Sequence, residues 1–104
     1  MRIVIPLLFK SKERVSPHFG ASSKILVADI ENGKILRETI RDLEGSNSLE
    51  IARGLVKIGA NVLICGGIDL SCKNQLIENR ITVVDNQRGV AKQLLKYFSH
   101  SLST

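Results

Sequence analysis

Apolar positions change their period along the chain, and each change marks an element. The opening "RIVIPLLF" is a continuous apolar run rich in β-branched residues, the pattern of a strand covered on both faces. "KILVADI" and "KILRETI" lie on either side of "ENG". Asn32-Gly33 supplies the positive φ angles of a tight hairpin, so these runs are predicted as two antiparallel strands. In "GSNSLEIARGLVKIGA" the period becomes helical, with Leu49, Ala52, Leu55 and Val56 on one face. Asn47 and Glu50 are spaced as a capping box, and Gly59 is placed to end that helix. "NVLIC" then reads as a strand, "DLSCKNQLIEN" as a helix capped by Asp69, and "ITVV" as a strand. "RGVAKQLLKYF" reads as a helix with Val90, Leu94 and Phe98 along one stripe, followed by a polar tail that includes His100. The charged stretch from Lys10 to Gly20 is read as a loop.

A hairpin followed by alternating helices and strands implies a mixed sheet. With right-handed crossovers and strands numbered in chain order, the simplest arrangement is 3-2-1-4-5 with three helices. This is an α/β, three-layer, ribonuclease H-like topology. The chain has 104 residues, enough for one core and not two, so residues 1–104 are predicted as a single domain.

Composition narrows the function. "MRIVIPLLFK" has a short apolar run, contains Pro6 and is followed by "KSKER", so it reads as a strand and not as a signal peptide. No segment approaches the ~18 continuous apolar residues of a membrane span. A cytoplasmic protein without membrane partners is expected. The net charge of +5 favours anionic ligands. With no Trp, one Tyr and three Phe there is no stacking platform, so specific nucleic-acid binding is not expected. A ribonuclease H-like, two-metal nuclease would want an acid in the central first strand, where "RIVIPLLF" offers none, and Asp29 belongs at the opposite edge. Cys65 and Cys72 are separated by six residues, which fits neither zinc nor the usual iron-sulfur spacings.

Ligands of such open sheets bind outside the carboxyl ends of the parallel strands. That edge collects Ser16, His18, Gly20, Gly66, Gly67, Asp69, Cys72 and Arg88 as candidate binding residues, with Lys10, Lys12 and Arg14 adding positive charge, Asp85 to Gly89 following the last strand and Ser46 leading into the first helix. Helix N-termini at the same edge favour an anion. "CGGID" is open to two readings, close backbone approach to a ligand or a purely steric turn. His18 is either a structural hydrogen-bonder or a ligand. Alternation along an extended chain sends Phe19 to the core if His18 faces the edge. Ser22 and Ser23 read as loop caps. Cys65 reads as a small buried hydrophobe. Cys72 sits near a helix start that would lower its pKa, and it also stacks on Leu76. His18 and Cys72 are the candidate metal ligands. They are too few for a closed structural site, but enough to contact a cluster that carries ligands of its own.

"SPHFGASSKILVADI" with its S-x-H-F-G core, "GANVLICGGI" and "ITVVDNQRGVAKQLLKYF", in this order after "RIVIP", resemble the dinitrogenase iron-molybdenum cofactor biosynthesis family, the NifX-type domain also found at the end of NifB. Ser16, His18, Phe19, Gly20, Gly66, Gly67 and Ile68 stand on its motif. The resemblance implies a non-enzymatic domain that binds or carries iron-molybdenum cofactor or an iron-sulfur precursor, with cofactor-biosynthesis proteins as partners. The chain departs from the family before the first helix, where "EGSNSLE" replaces a histidine-bearing segment, and at Asp69, where a glycine is common. A regulatory module for another small anion is the alternative.

Overall fold

The structure, a computed structural model, describes residues 1–8, 11–20, 24–43, 45 and 47–102. Lys10, Ser22, Ser23 and Ser46 lie outside them. In chain order the described residues form β1 (Arg2–Leu8), β2 (Ser11–Val15), β3 (Lys24–Glu31), β4 (Lys34–Asp42), α1 (Ser48–Lys57), β5 (Val62–Ile64), α2 (Leu70–Glu78), β6 (Thr82–Val84) and α3 (Ala91–Leu102). None of these helices is long and apolar enough to cross a membrane.

The main path of the sheet runs β4-β3-β1-β5-β6. This is the expected order, antiparallel through β4, β3 and β1 and parallel through β1, β5 and β6. The sheet has six strands, however, and not five. "SKERV", read as loop, is β2, which pairs antiparallel with the end of β1 through Leu7↔Val15 and Leu8↔Ser11. Its own pattern is polar, and distant residues hold it. Arg14 bridges Val90, and the Val15 N–H donates to the Gly89 carbonyl at 3.0 Å.

β1 explains its continuous apolar run by being covered on both sides. Val4 packs with Phe19, Ile51, Leu55 and Leu76 under α1 and α2, while Ile3, Ile5 and Leu7 pack with Leu26 and Leu95 under α3. The hairpin turns at Asn32 and Gly33, with φ of 51° and 76°.

Asn47 caps α1, its side chain accepting from the Glu50 N–H at 3.0 Å. Gly59, at φ 77°, ends the helix as its N–H donates to the Val56 carbonyl and that of Ala60 to Leu55. The predicted face of α1 is rotated from the real one. Ile51, Ala52 and Leu55 are buried, whereas Leu49 and Val56 remain 46% and 40% exposed. α3 also runs further than predicted, so His100 is helical, and its buried positions are Ala91, Leu95 and Ser99.

Candidate functional site

At the carboxyl ends of β1, β5 and β6 the chain from Ser16 to Gly20 is threaded across the sheet edge. The Ser16 N–H donates to the Pro6 carbonyl at 2.9 Å, and the Ser16 hydroxyl, buried, donates to the His18 carbonyl at 3.0 Å. His18 and Gly67 form a parallel bridge, in which the Phe19 N–H donates to Gly67 and the Gly67 N–H to Pro17, both at 2.7 Å. The segment is therefore extended and its side chains alternate. Phe19 is buried in the core beneath α1 and α2, and His18 is exposed.

This crossing explains two glycines. A Cβ on Gly66 would lie 2.5 Å from the Ser16 carbonyl oxygen and 2.6 Å from that of Pro17. Backbone cannot yield as a flexible side chain would, so Gly66 is required sterically. Gly20 has φ +90°, and a Cβ there would lie 2.4 Å from the Ser48 hydroxyl, which itself donates to the Phe19 carbonyl. Gly67 has more room, with Pro17 oxygen at 3.3 Å and the His18 Nδ1 at 3.8 Å.

A cavity of about 440 Å³ opens beside this segment, lined by Arg14, Pro17, His18, Gly66, Gly67 and the loop Asn86 to Gly89. The loop is tied to the end of β5. The Asn86 N–H donates to Gly66 and the Gln87 N–H to Cys65, both at 2.9 Å, with Asn86 in the left-handed region at φ 58°. Asp85 is neutralised by Lys73 at 3.2 Å. Arg14 and Arg88 make no ion pair in the described structure, so the cavity carries net positive charge.

The cysteines are placed differently from one expectation. Cys65 is fully buried after β5, and burial, then the nearby Asp85 charge, push its thiol up to about 12. Cys72 was expected to have a lowered pKa. It is instead buried against the core, and burial, then hydrogen bonding to Asp69, push its thiol up to about 11. Desolvation outweighs the helix terminus. Asp69 is the N-cap of α2, its side chain accepting from the Cys72 N–H at 3.3 Å. Hydrogen bonding from the Cys72 side chain, then from its backbone, holds the Asp69 carboxyl below its ordinary range.

Of the predicted residues, His18, Gly66, Gly67 and Arg88 come together around the 440 Å³ cavity. Cys72 and Asp69 line a separate, shallower hollow between the starts of α1 and α2, so His18 and Cys72 do not converge on one cavity. Among the described residues no group of three or more His, Cys, Asp or Glu side chains is placed to hold a metal ion. The donors at the cavity suit an anion. Asn86 and Gln87 line the cavity within the Asp85 to Gly89 segment expected at this edge, although neither was singled out as a binding residue; "DNQRG", polar with a terminal glycine, carries the signature of a turn.

A family model described as dinitrogenase iron-molybdenum cofactor matches residues 1–100. The chain is 30% identical over 73 residues to an uncharacterized protein, MJ0580, of Methanocaldococcus jannaschii, a match spanning 65% of this chain and 59% of that protein. Among solved structures, PH0822 superposes with a TM-score of 0.88 at 24% identity, covering 97% of this chain and 90% of that one. The apo form of the orange protein from Desulfovibrio gigas superposes with a TM-score of 0.77 at 20% identity, covering 98% and 88%. These two likenesses concern the fold.

Proposed function

Since the chain belongs to the dinitrogenase iron-molybdenum cofactor family, we propose that it is a non-enzymatic carrier of an anionic metallocluster, iron-molybdenum cofactor or an iron-sulfur precursor, held in the 440 Å³ cavity. One observation carries this reading: two guanidinium groups that make no ion pair in the described structure and an exposed imidazole surround glycine backbone, while both thiols are buried with raised pKa values. Arg14 and Arg88 supply charge, His18 supplies one donor to a cluster edge, and Gly67 keeps the wall open to close approach. Ser16 and Gly20 act by shaping the segment that presents His18. Cys72 and Asp69 act by fixing the start of α2. The strand order supports a ribonuclease H-like classification, and a carrier of this cargo would work in the cytoplasm beside cofactor-biosynthesis proteins that load and unload it.

The test is anaerobic purification with metal and sulfide analysis, followed by titration with isolated iron-molybdenum cofactor. Saturable binding near one cluster per chain, weakened by salt and by His18→Ala, supports the reading. Absence of cluster binding together with saturable binding of a simple oxyanion would replace it with the regulatory-anion alternative.

A further inference from the structure

Two helices cover one face of the six-stranded sheet and one helix covers the other, and the face under α3 shows the shortfall. α3 packs across β1, β2 and β4. Ile40 on β4, opposite Leu26 on β3, nevertheless stays 51% exposed. Between β2, the β3–β4 pair and the start of α3 lies a cavity of about 380 Å³ with a mainly apolar lining of Leu26, Ile40, Val90 and Ala91. Its two charged lining side chains, Glu13 on β2 and Lys92 in the first turn of α3, have opposite sign, and neither makes an ion pair in the described structure. Neighbouring residues of a strand face opposite sides, so Glu13 serves this cavity while Arg14 serves the cluster cavity.

An apolar hollow carrying one unpaired anion and one unpaired cation is complementary to a small amphipathic zwitterion. We infer that this cavity binds a free aliphatic α-amino acid. The side chain covers Ile40 and contacts Leu26 and Val90, the carboxylate meets Lys92, and the ammonium meets Glu13. The volume is ample for such a molecule, and a wall that offers one cation and one anion does not suit the phosphate of a nucleotide, which would face Glu13 unpaired. The opposite charges also select against simple fatty acids, because a lone carboxylate leaves Glu13 unpaired and repelled.

The experiment is an amide-resolved NMR titration of the full chain with L-leucine, 4-methylpentanoate, which lacks the ammonium, and 3-methylbutylamine, which lacks the carboxylate. Saturable shifts at Glu13, Leu26, Ile40 and Val90 to Lys92 are expected with leucine. Each single-charge analogue, and each of Glu13→Gln and Lys92→Gln, should bind about fivefold more weakly, the scale of one charged contact at a partly solvated wall. Both variants change exposed side chains, so folding is not at risk. The inference falls if leucine produces no saturable shift up to about 10 mM, beyond what so small a ligand commonly needs. It also falls if 4-methylpentanoate binds as well as leucine, or if the same amides shift on dilution without ligand, which would mean that a second copy covers Ile40. None of these outcomes bears on the cluster cavity, which lies across β2.

Discussion

The two ends of the sheet are finished in opposite ways. Where β1 begins, the Arg2 guanidinium donates to Asp29 at 2.8 Å across the β1–β3 pair and also to the Ile58 carbonyl. The Arg2 N–H donates to the Asn61 side chain at 2.7 Å, and the terminal ammonium donates to the Ile30 carbonyl at 2.9 Å. Charge at this end is consumed by the fold. At the other end Arg14 and Arg88 make no ion pair in the described structure, and His18 faces solvent beside open glycine backbone. A group left unused by folding is available to a ligand, and under the proposed function the contrast divides binding from stability.

The open end is nonetheless anchored, and the largest expected effect tests that anchor. Phe19 is 7% exposed in the core beneath α1 and α2. Phe19→Ala should cost about 3 to 5 kcal/mol, measured by denaturant unfolding. A loss under about 1 kcal/mol would mean that the ring does not hold this segment in place.

Next comes Gly66→Ala. The added methyl meets the Ser16 and Pro17 carbonyls, so the segment must shift, at a cost of about 1 to 3 kcal/mol. Gly67→Ala, with its nearest contact at 3.3 Å, should cost clearly less. Equal costs would remove the distinction drawn between the two glycines.

These positions also show where the sequence is readable. Continuous apolar runs, the Asn32-Gly33 turn and the Asn47 and Asp69 caps are local signals, and the structure contains them. β2 is not local. Its polar residues become a strand because the end of β1 and residues 89–90 offer partners. Gly66 is visible as a glycine, but its cause is a crossing by residues 50 positions earlier. For Cys72 the helix start was visible and the depth of the core was not. Its stacking on Leu76 was the better guide, since both are buried.

At the closed end the expected effect is smaller and depends on acid. Hydrogen bonding from Arg2 holds the Asp29 carboxyl below its ordinary value of 3.8. A lowered folded pKa stabilises above the unfolded pKa, and the contribution is lost as pH falls through the folded one. The side chains are 29% and 32% exposed, so screening limits the pair to about 1 kcal/mol. Asp29→Asn should therefore lower stability slightly at pH 7 and converge with the parent as the pH falls below 3.8 and through the lowered folded value. Unfolding midpoints across pH 2 to 7 check this, and a constant offset over that range would count against it.

The smallest expected effect on stability belongs to the groups with the largest expected effect on binding. His18, Arg14 and Arg88 are exposed, and neither arginine makes an ion pair in the described structure. His18→Ala, Arg14→Gln and Arg88→Gln should each change stability by under about 0.5 kcal/mol, as surface substitutions commonly do. The backbone bridge between His18 and Gly67 survives all three, because its hydrogen bonds are made by main-chain atoms. Each arginine variant should weaken cluster binding by about tenfold and flatten its salt dependence, since a removed cation no longer takes part in screening. His18→Ala should weaken binding while leaving the salt dependence steep, which separates a donor to the cluster edge from a diffuse charge. If His18→Ala instead lowers the melting temperature by several degrees and binds the cofactor unchanged, the imidazole belongs to the fold. The contrast between the two ends would then rest on the arginines alone.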